Sequence, residues 1–395
     1  MRDDHASPAD EYGSPLRAVL LSMSGPVVAL LPVFLVGAMA VQIREELVFG
    51  AAGIGLATGA FRGAGALAAI PLGRRVDRWG PMTSLRRSAT IAILAALWIA
   101  FAARDLPTLL VGMVLGGVAT VIAQPAANTL IMRAVDVRRR ATAFGIKQTS
   151  PPLSGMIAGF AVPVIALTLG WRVAFGLVAA LGAMMLLALR DRDRSREPRP
   201  PQPVTQPLGR RRFLVIIMVT FALADVTNNT ATVFYVESAV RAGTPPGLAG
   251  TIFAVASLGA ILTRLASGVV ADRMVTGHLR LCAGLLLLGA VGMALLSTGD
   301  PTLMGVGAVL AFCGTWGFNG VFWFSVVSAF PHAPGRVTGV LGPAGLMGSS
   351  LTPALFGGIA DQVGFRPVWL IVCSSAVAAA IGMVIADREL RRSDA

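Results

Sequence analysis

The chain has 395 residues, of which 55% are hydrophobic and only 13% charged, and its mean hydropathy is +0.73. So few charges exclude a soluble domain, and an exterior that faces lipid requires helices or a closed barrel to satisfy the backbone. The short alternating stretches of barrel strands are not seen, whereas the apolar runs last roughly 16 to 28 residues and about 20 are enough for a helix to cross the hydrocarbon. The predicted fold class is an all-α integral membrane protein.

Twelve spanning helices are predicted in chain order. The first is too long for the apolar region of a cleaved signal peptide, and it follows a stretch of polar or mixed residues instead of a short basic start. We therefore expect it to be a true span. The predicted spans are residues 18–41, 51–72, 88–103, 107–131, 141–168, 171–189, 213–236, 248–270, 279–297, 302–329, 337–360 and 366–386.

The net charge of +13 is distributed unevenly along the chain. If both termini lie in the cytoplasm, 25 of the 33 Lys and Arg residues fall in cytoplasmic segments, five in outer loops and three within spans. This bias follows the positive-inside rule, so the basicity orients the protein and argues against a nucleic-acid partner. We expect a multi-pass protein of the plasma membrane (the cell inner membrane in a bacterium), with the N- and C-termini cytoplasmic.

Residues typical of catalytic or metal sites show no suitable spacing. The three cysteines lie in separate apolar spans, where a small buried hydrophobe is the ordinary interpretation, and the three histidines are scattered. Lys147, the only lysine, follows Ile146, which excludes a phosphate-binding Gly-Lys-Ser/Thr loop. We predict no metal, no cofactor and no enzymatic activity.

A polar stretch divides the apolar chain into two similar halves. Residues 190–212, rich in Arg and Pro, are typical of a flexible cytoplasmic linker. Residues 55–77 overlie 250–272 at an offset of 195, and 170–172 overlie 364–366 at an offset of 194. The sequence therefore predicts a six-helix bundle over 1–190, a linker over 191–212 and a second six-helix bundle over 213–395.

The loops after the second and eighth spans share a short motif. Its residues are Gly73, Asp77, Arg78 and Gly80 in the first copy and Gly268, Asp272 and Arg273 in the second. The motif resembles the signature of the major facilitator superfamily (MFS), although the basic pair that usually follows directly is displaced to Arg86-Arg87. This resemblance implies twelve helices in two pseudo-symmetric bundles that rock around a central site, as in a secondary transporter (permease).

The resemblance also implies a gate at this motif. Gly73 would let the second span approach a neighbouring helix closely, and the Asp77 carboxylate would accept hydrogen bonds from the first amides of a facing helix. In the family this aspartate latches the outward-facing state, often with an arginine at the end of the fourth span, where Arg133 stands. The alternative is a basic loop that only sets the topology.

Four charged residues fall inside the apolar spans, and their formal charges sum to +2: Arg62, Lys147, Asp225 and Arg264. A buried charge costs about 2.5–3.5 kcal/mol on insertion scales, so each is a candidate functional residue. Arg62 and Asp225 are both predicted near the midplane. Either they form a structural pair, or Asp225 carries the coupling proton.

Lys147 and Arg264 are predicted at similar depths, about 10 and 12 Å along their helices. The resemblance places their spans, the fifth and the eighth, face to face. Two cations there would repel each other unless an anion lay between them, and a carboxylate could bind Arg264 through two bonds. The sequence from Arg264 to Gly268 also looks like the span-8 arginine of monocarboxylate carriers. The alternative is that either cation reaches the surface or pairs with a loop acid.

Polar and aromatic residues of the fourth, seventh and tenth spans are expected to line the cavity, as the resemblance implies. Gln124 and Asn319 occupy equivalent positions at the 195 offset, and bonding between helices is the alternative role for each residue. Pro125, Pro151 and Pro152 are either packing kinks or hinges. The candidate lining residues are Gln124, Asn128, Asn228, Asn229, Trp316, Asn319 and Trp323.

Three functions are compatible with this pattern. The first is uptake or exchange of a small organic anion by a symporter, coupled to a proton. The second is proton-coupled efflux of drugs or metabolites, but the span-4 arginine and the Gly-Pro-x-x-Gly-Gly pattern typical of such antiporters are missing. The third is a sensor or receptor that does not transport. We favour the first, with a small-molecule substrate and the lipid bilayer as partners and a monomer as the working form.

Overall fold

A computed structural model describes residues 14–136, 139–189, 210–330 and 334–394. The predicted linker therefore lies outside the described residues, apart from its last three positions. Residues 162–169 form a π-helical turn and a short helix, which continue the helix that ends at Ala161. The helices are α1 (Pro15–Ala38), α2 (Ala40–Leu47), α3 (Ala51–Trp79), α4 (Pro81–Ala102), α5 (Leu106–Ala134), α6 (Arg140–Gln148), α7 (Ser150–Ala161), α8 (Trp171–Ala188), α9 (Arg211–Arg241), α10 (Pro246–Asp272), α11 (His278–Leu296), α12 (Pro301–Gly317), α13 (Asn319–Ala329), α14 (Pro334–Val363) and α15 (Phe365–Asp394).

The length and hydropathy of these helices agree with a membrane protein. Within the described residues, ten helices can cross a membrane, counting α12 with α13 as one and Ala143–Leu169 as another. An eleventh is α2 joined to the first part of α3, although the two are bent by 111°. α14, which is 30 residues long, covers the eleventh predicted span.

Breaks and caps in the helices have simple local causes. The tenth span breaks between Gly317 and Asn319, and the fifth breaks at Thr149, just before two prolines that cannot donate a backbone hydrogen bond. Asp105 and Asp300, separated by the repeat offset, cap α5 and α12 by accepting the amides of Thr108 and Leu303 at 2.9 Å each.

Three apolar cores show how the two six-helix bundles meet. One core belongs to the first bundle and includes Leu85 and Leu130. Another belongs to the second bundle and includes Phe213 and Phe322. The third and largest core takes residues from both bundles, and it fills the end of the molecule at which α3 begins and α9 ends. The bundles are thus joined at that end and have separate cores at the other.

Candidate functional site between the bundles

The contact between α3 and α14 widens along its length. A Cβ built on Gly55 would clash with the carbonyl group of Pro353, so the two helices touch there through their backbones. At Gly63 a Cβ would lie 3.8 Å from the Cβ of Ser350, and at Gly73 it would meet no described atom within 4 Å. The helices therefore separate towards the C-terminal end of α3.

The contact between α7 and α10 widens in the same direction. A Cβ on Gly159 would lie only 2.6 Å from the amide nitrogen of Ala254, whereas on Gly145 or Gly268 it would meet no described atom within 4 Å. A cleft therefore runs between the bundles. We call the end at which α3 begins and α9 ends the closed face, and the end that carries Gly73 and Gly268 the open face.

Arg62 and Asp225 lie where the cleft begins. Nη1 of Arg62 is 3.8 Å from Oδ2 of Asp225 and 3.5 Å from Oγ of Ser349, so α3 meets both α9 and α14 here. The side chains of Arg62 and Asp225 are 16% and 20% exposed. Nε of Arg62 is buried without a hydrogen-bond partner. This pair joins the bundles through a long ionic contact, and the Nε–H group of Arg62 is left without an acceptor among the described residues.

Lys147 is buried at the end of α6. Its ammonium group donates to Oε1 of Gln124 on α5, and it lies 3.5 Å from Oε1 of Gln148. Both acceptors are neutral amides. The sequence placed Gln124 among the cavity residues, and the structure places it directly on the lysine.

Arg264 is also buried and spans the cleft from α10. Its Nε and Nη2 donate to the carbonyl oxygen of Trp316 at 3.2 and 2.8 Å, and its Nη1 donates to the carbonyl oxygen of Gln148 in the opposite bundle. The guanidinium carbon lies 5.9 Å from the centre of the Trp316 ring. Gln148 therefore connects the two cations, since its side chain faces Lys147 and its carbonyl group faces Arg264.

The charges of Arg62, Lys147, Asp225 and Arg264, which we call the cationic layer, are unbalanced. In the part of the chain that the structure describes, neither Lys147 nor Arg264 has a carboxylate within ion-pair distance. Asp225, the one carboxylate among the four charged residues predicted inside the spans, faces Arg62. The excess of two positive charges expected from the sequence is therefore concentrated on Lys147 and Arg264.

The other predicted lining residues divide into groups. Asn229 is buried and donates from Nδ2 to the carbonyl oxygen of Ser349 at 3.0 Å, and both Oδ1 of Asn229 and Oδ1 of Asn228 are buried without a partner. Asn128 is exposed. Asn319 makes only a long contact, 3.4 Å from its Nδ2 to the carbonyl oxygen of Thr315 in its own helix.

Trp323 and Trp316 have different neighbours. Trp323 is half-buried and packs against Phe221 and Phe322, each with a centroid distance of 5.3 Å, at the edge of the core of the second bundle. Trp316 packs against Phe34 of the first bundle at 6.2 Å, and its Nε1 is buried without a partner. Trp316 is therefore the indole beside the cationic layer.

The residues of the repeated motif lie at the open face. Gly80 has a φ of +76°, which favours glycine, and it separates α3 from α4. The side chain of Asp77 lies outside the described part, so its predicted contact with a facing helix stays a prediction. Arg78, Asp272 and Arg273 are exposed and Arg133 is half-buried.

The closed face carries an ionic cluster that the sequence did not reveal. Glu237 is fully buried and lies 3.2 Å from Arg44 and 2.7 Å from Arg241. Asp361 lies 3.1 Å from Arg241 and accepts the first two amides of α3, from Ala51 at 2.9 Å and Ala52 at 2.8 Å. We call Arg44, Glu237, Arg241 and Asp361 the closed-face cluster.

The cluster was missed because the seventh span was predicted to end at residue 236, one residue before Glu237. In the structure α9 continues to Arg241. A glutamate directly after an apolar run, with an arginine four residues later, is the signal that could have found it.

Comparisons with known proteins identify the family. The family model described as Major Facilitator Superfamily matches residues 23–353. Monocarboxylate transporter 11 of the mouse is 30% identical over an alignment of 336 residues, and the match covers 78% of this chain and 73% of that protein.

Two solved structures show the same fold. They are inward-facing conformations, unoccupied and occupied, of a bacterial homologue of the human lysosomal transporter Spinster. They match with TM-scores of 0.70 and 0.71 at 19% and 20% identity, and each match covers 95% of this chain and 96% of the other. The protein is a multi-pass transporter of small molecules and not an enzyme, and the chain belongs to the major facilitator superfamily.

Proposed function

We propose that this protein carries a small organic anion across the membrane by alternating access, coupled to a proton. One observation carries the proposal: Lys147 and Arg264 are buried side by side against neutral oxygens, with no carboxylate of the described residues beside them. Two buried cations are costly, and an anion bound between them would offset that cost. The name of the mouse relative, a monocarboxylate transporter, is compatible with such a cargo.

Arg264 is the residue best suited to recognise a carboxylate. Its guanidinium is already held at the boundary of the bundles by carbonyl oxygens on both sides. A carboxylate binds such a planar fork through two charge-assisted hydrogen bonds, which are stronger than bonds to a neutral carbonyl. Lys147 adds a second positive charge on the opposite bundle, so a bound anion would contact both halves.

Asp225 is the candidate for proton coupling. Its contact with Arg62 is 3.8 Å long, and protonation of the carboxyl would remove the attraction between α3 and α9 at the start of the cleft. Proton binding would then alter how the bundles are held together. In this mechanism the proton and the anion act on the same boundary from two different sites.

We further propose that the open face is cytoplasmic, as the positive-inside rule indicates, and that the physiological direction is uptake. The described conformation then releases the anion into the cytoplasm. Because the site lies between two bundles of a single chain, a monomer in the plasma membrane is sufficient for transport.

Counterflow in proteoliposomes tests the proposal. We expect labelled carboxylates to exchange and neutral or cationic drugs not to exchange, and we expect Arg264→Gln and Lys147→Gln each to lower the exchange at least roughly tenfold. Arg366→Gln, at an exposed arginine on the closed face, is the matched control. Exchange of only cations or neutral compounds, with both site variants silent, would disprove the anion proposal.

A further inference from the structure

The two prolines of the fifth span leave two carbonyl groups without their helical donors. In an α-helix each carbonyl oxygen accepts the amide of the fourth residue further on, and proline has no amide hydrogen. The carbonyl oxygen of Lys147 therefore has no amide donor at position 151, and the carbonyl oxygen of Gln148 has none at position 152. The break between α6 and α7 lies at this point.

Both carbonyl oxygens are used by side chains instead. Oγ of Ser150 donates to the carbonyl oxygen of Lys147 at 2.5 Å, which is a contact within the same turn. The carbonyl oxygen of Gln148 instead accepts Nη1 of Arg264, which comes from the other bundle. Only the carbonyl group released by Pro152 thus connects the two halves of the protein.

Arg264 shares its donors between the bundles. Two of its nitrogens donate to Trp316 on its own side of the cleft, and Nη1 alone crosses to Gln148. Towards the open face from this contact, the glycines of α6 and α10 have no close described neighbours. The Arg264–Gln148 hydrogen bond therefore lies at the edge of the closed part of the interface.

We propose that Pro152 is a positioning residue: it keeps the Gln148 carbonyl free to occupy Arg264 until a carboxylate substrate takes its place. This inference rests on the proposed function, since the substrate must be an anion that binds Arg264. Substrate binding then exchanges a bond between the bundles for a bond to the cargo. The exchange couples occupancy of the site to the loosening of the α6–α10 contact.

The test compares Pro152→Ala with Pro151→Ala, its matched control. The first variant restores an amide that can bond to Gln148, and the second restores one that can bond only to Lys147. The ligand-free readout is the rate at which phenylglyoxal modifies Arg264, measured by mass spectrometry of its peptide. We expect Pro152→Ala to raise this rate roughly tenfold, as the loss of a charge-assisted hydrogen bond implies, and Pro151→Ala to leave it unchanged.

The second readout is equilibrium binding of labelled pyruvate. We expect Pro152→Ala to bind pyruvate about tenfold more tightly, because the competing carbonyl group is withdrawn. Pro152→Gly restores the same amide, and it replaces Pro152→Ala in both measurements if the alanine variant is not monodisperse. Equal labelling rates in the wild type and both Pro152 variants would overturn the proposal, as would equal effects at Pro151 and Pro152. If only the pyruvate readout and the counterflow panel fail, the anion function is wrong while the role of Pro152 in holding Arg264 stands.

Discussion

Glu237 and Arg44 join the two bundles at the closed face, with Nε of Arg44 3.2 Å from Oε1 of Glu237. Nε of Arg44 is buried without a hydrogen-bond partner among the described residues, so this contact is ionic. Arg241, one turn after Glu237 on the same helix, donates to the same oxygen at 2.7 Å. A fully buried carboxylate thus holds an arginine from each bundle.

Replacing Glu237 is expected to weaken the closed face. Glu237→Gln leaves two arginines without their shared carboxylate, and removal of one partner from a buried ion pair costs about 3–5 kcal/mol. We place spin labels at the exposed residues Val48 and Val363, one on each bundle. In double electron–electron resonance we expect the mean distance between the two labels to increase. Glu46→Gln is the control, because Glu46 pairs with Arg172 at 2.8 Å within the first bundle. An unchanged Val48–Val363 distance in Glu237→Gln would contradict a latch at this cluster.

Gly55 is expected to be the most sensitive glycine of the α3–α14 contact. A methyl group there would clash with the Pro353 backbone, so Gly55→Ala must separate the two helices at the closed face. We expect a lower Tm, measured by differential scanning fluorimetry. Gly176→Ala is the control, since a Cβ there meets no described atom within 4 Å and alanine favours helix by roughly 0.5–1 kcal/mol. A Gly55→Ala protein as stable as the wild type would show that the contact is not tight.

Gln124→Glu is expected to reduce anion binding. The substitution keeps the shape of the side chain but gives Lys147 a carboxylate partner, which removes one of the two unbalanced charges. We expect the carboxylate concentration that half-inhibits counterflow to rise by about tenfold or more. Asn128→Asp, at the exposed position one turn further along α5, should have a smaller effect because water screens the charge. Equal half-inhibiting concentrations in Gln124→Glu and the wild type would argue against an anion beside Lys147.

Asp225→Asn is expected to separate exchange from proton coupling. The amide cannot release a proton, so uptake driven by a pH gradient should fall to the background, while counterflow without a gradient should continue. The control is Glu45→Gln, which alters an exposed acid on the closed face. Proton-driven uptake that persists in Asp225→Asn would remove this residue as the coupling site.

Sequence reasoning recovered the features that depend on composition and repetition. Long apolar runs are sufficient to place helices, and buried charges such as Arg62 and Asp225 are conspicuous because they are rare in such runs. The structure puts Arg62 next to Asp225, in agreement with the similar depths that the sequence predicts for the two residues. The functional roles of the site residues stay predictions.

What the sequence could not provide were contacts that depend on the rotation of each helix. Trp316 and Trp323 are seven residues apart, about two turns of helix. Because the helix breaks after Gly317, Trp316 lies beside Arg264 whereas Trp323 packs against the core of the second bundle. The use of backbone carbonyl groups as partners of Arg264 also leaves no trace in side-chain patterns. Only the two adjacent prolines indicate that such carbonyl groups are free.

The separation of the bundles towards one face has a consequence for the surrounding lipid. A molecule that is joined at one end and divided at the other displaces more area in one leaflet than in the other. When the cleft closes at the open face, the protein occupies less area in the leaflet on that side. This change in area involves work by or against the lateral pressure of that leaflet. Lipid composition in that leaflet should therefore shift the balance between the two conformations.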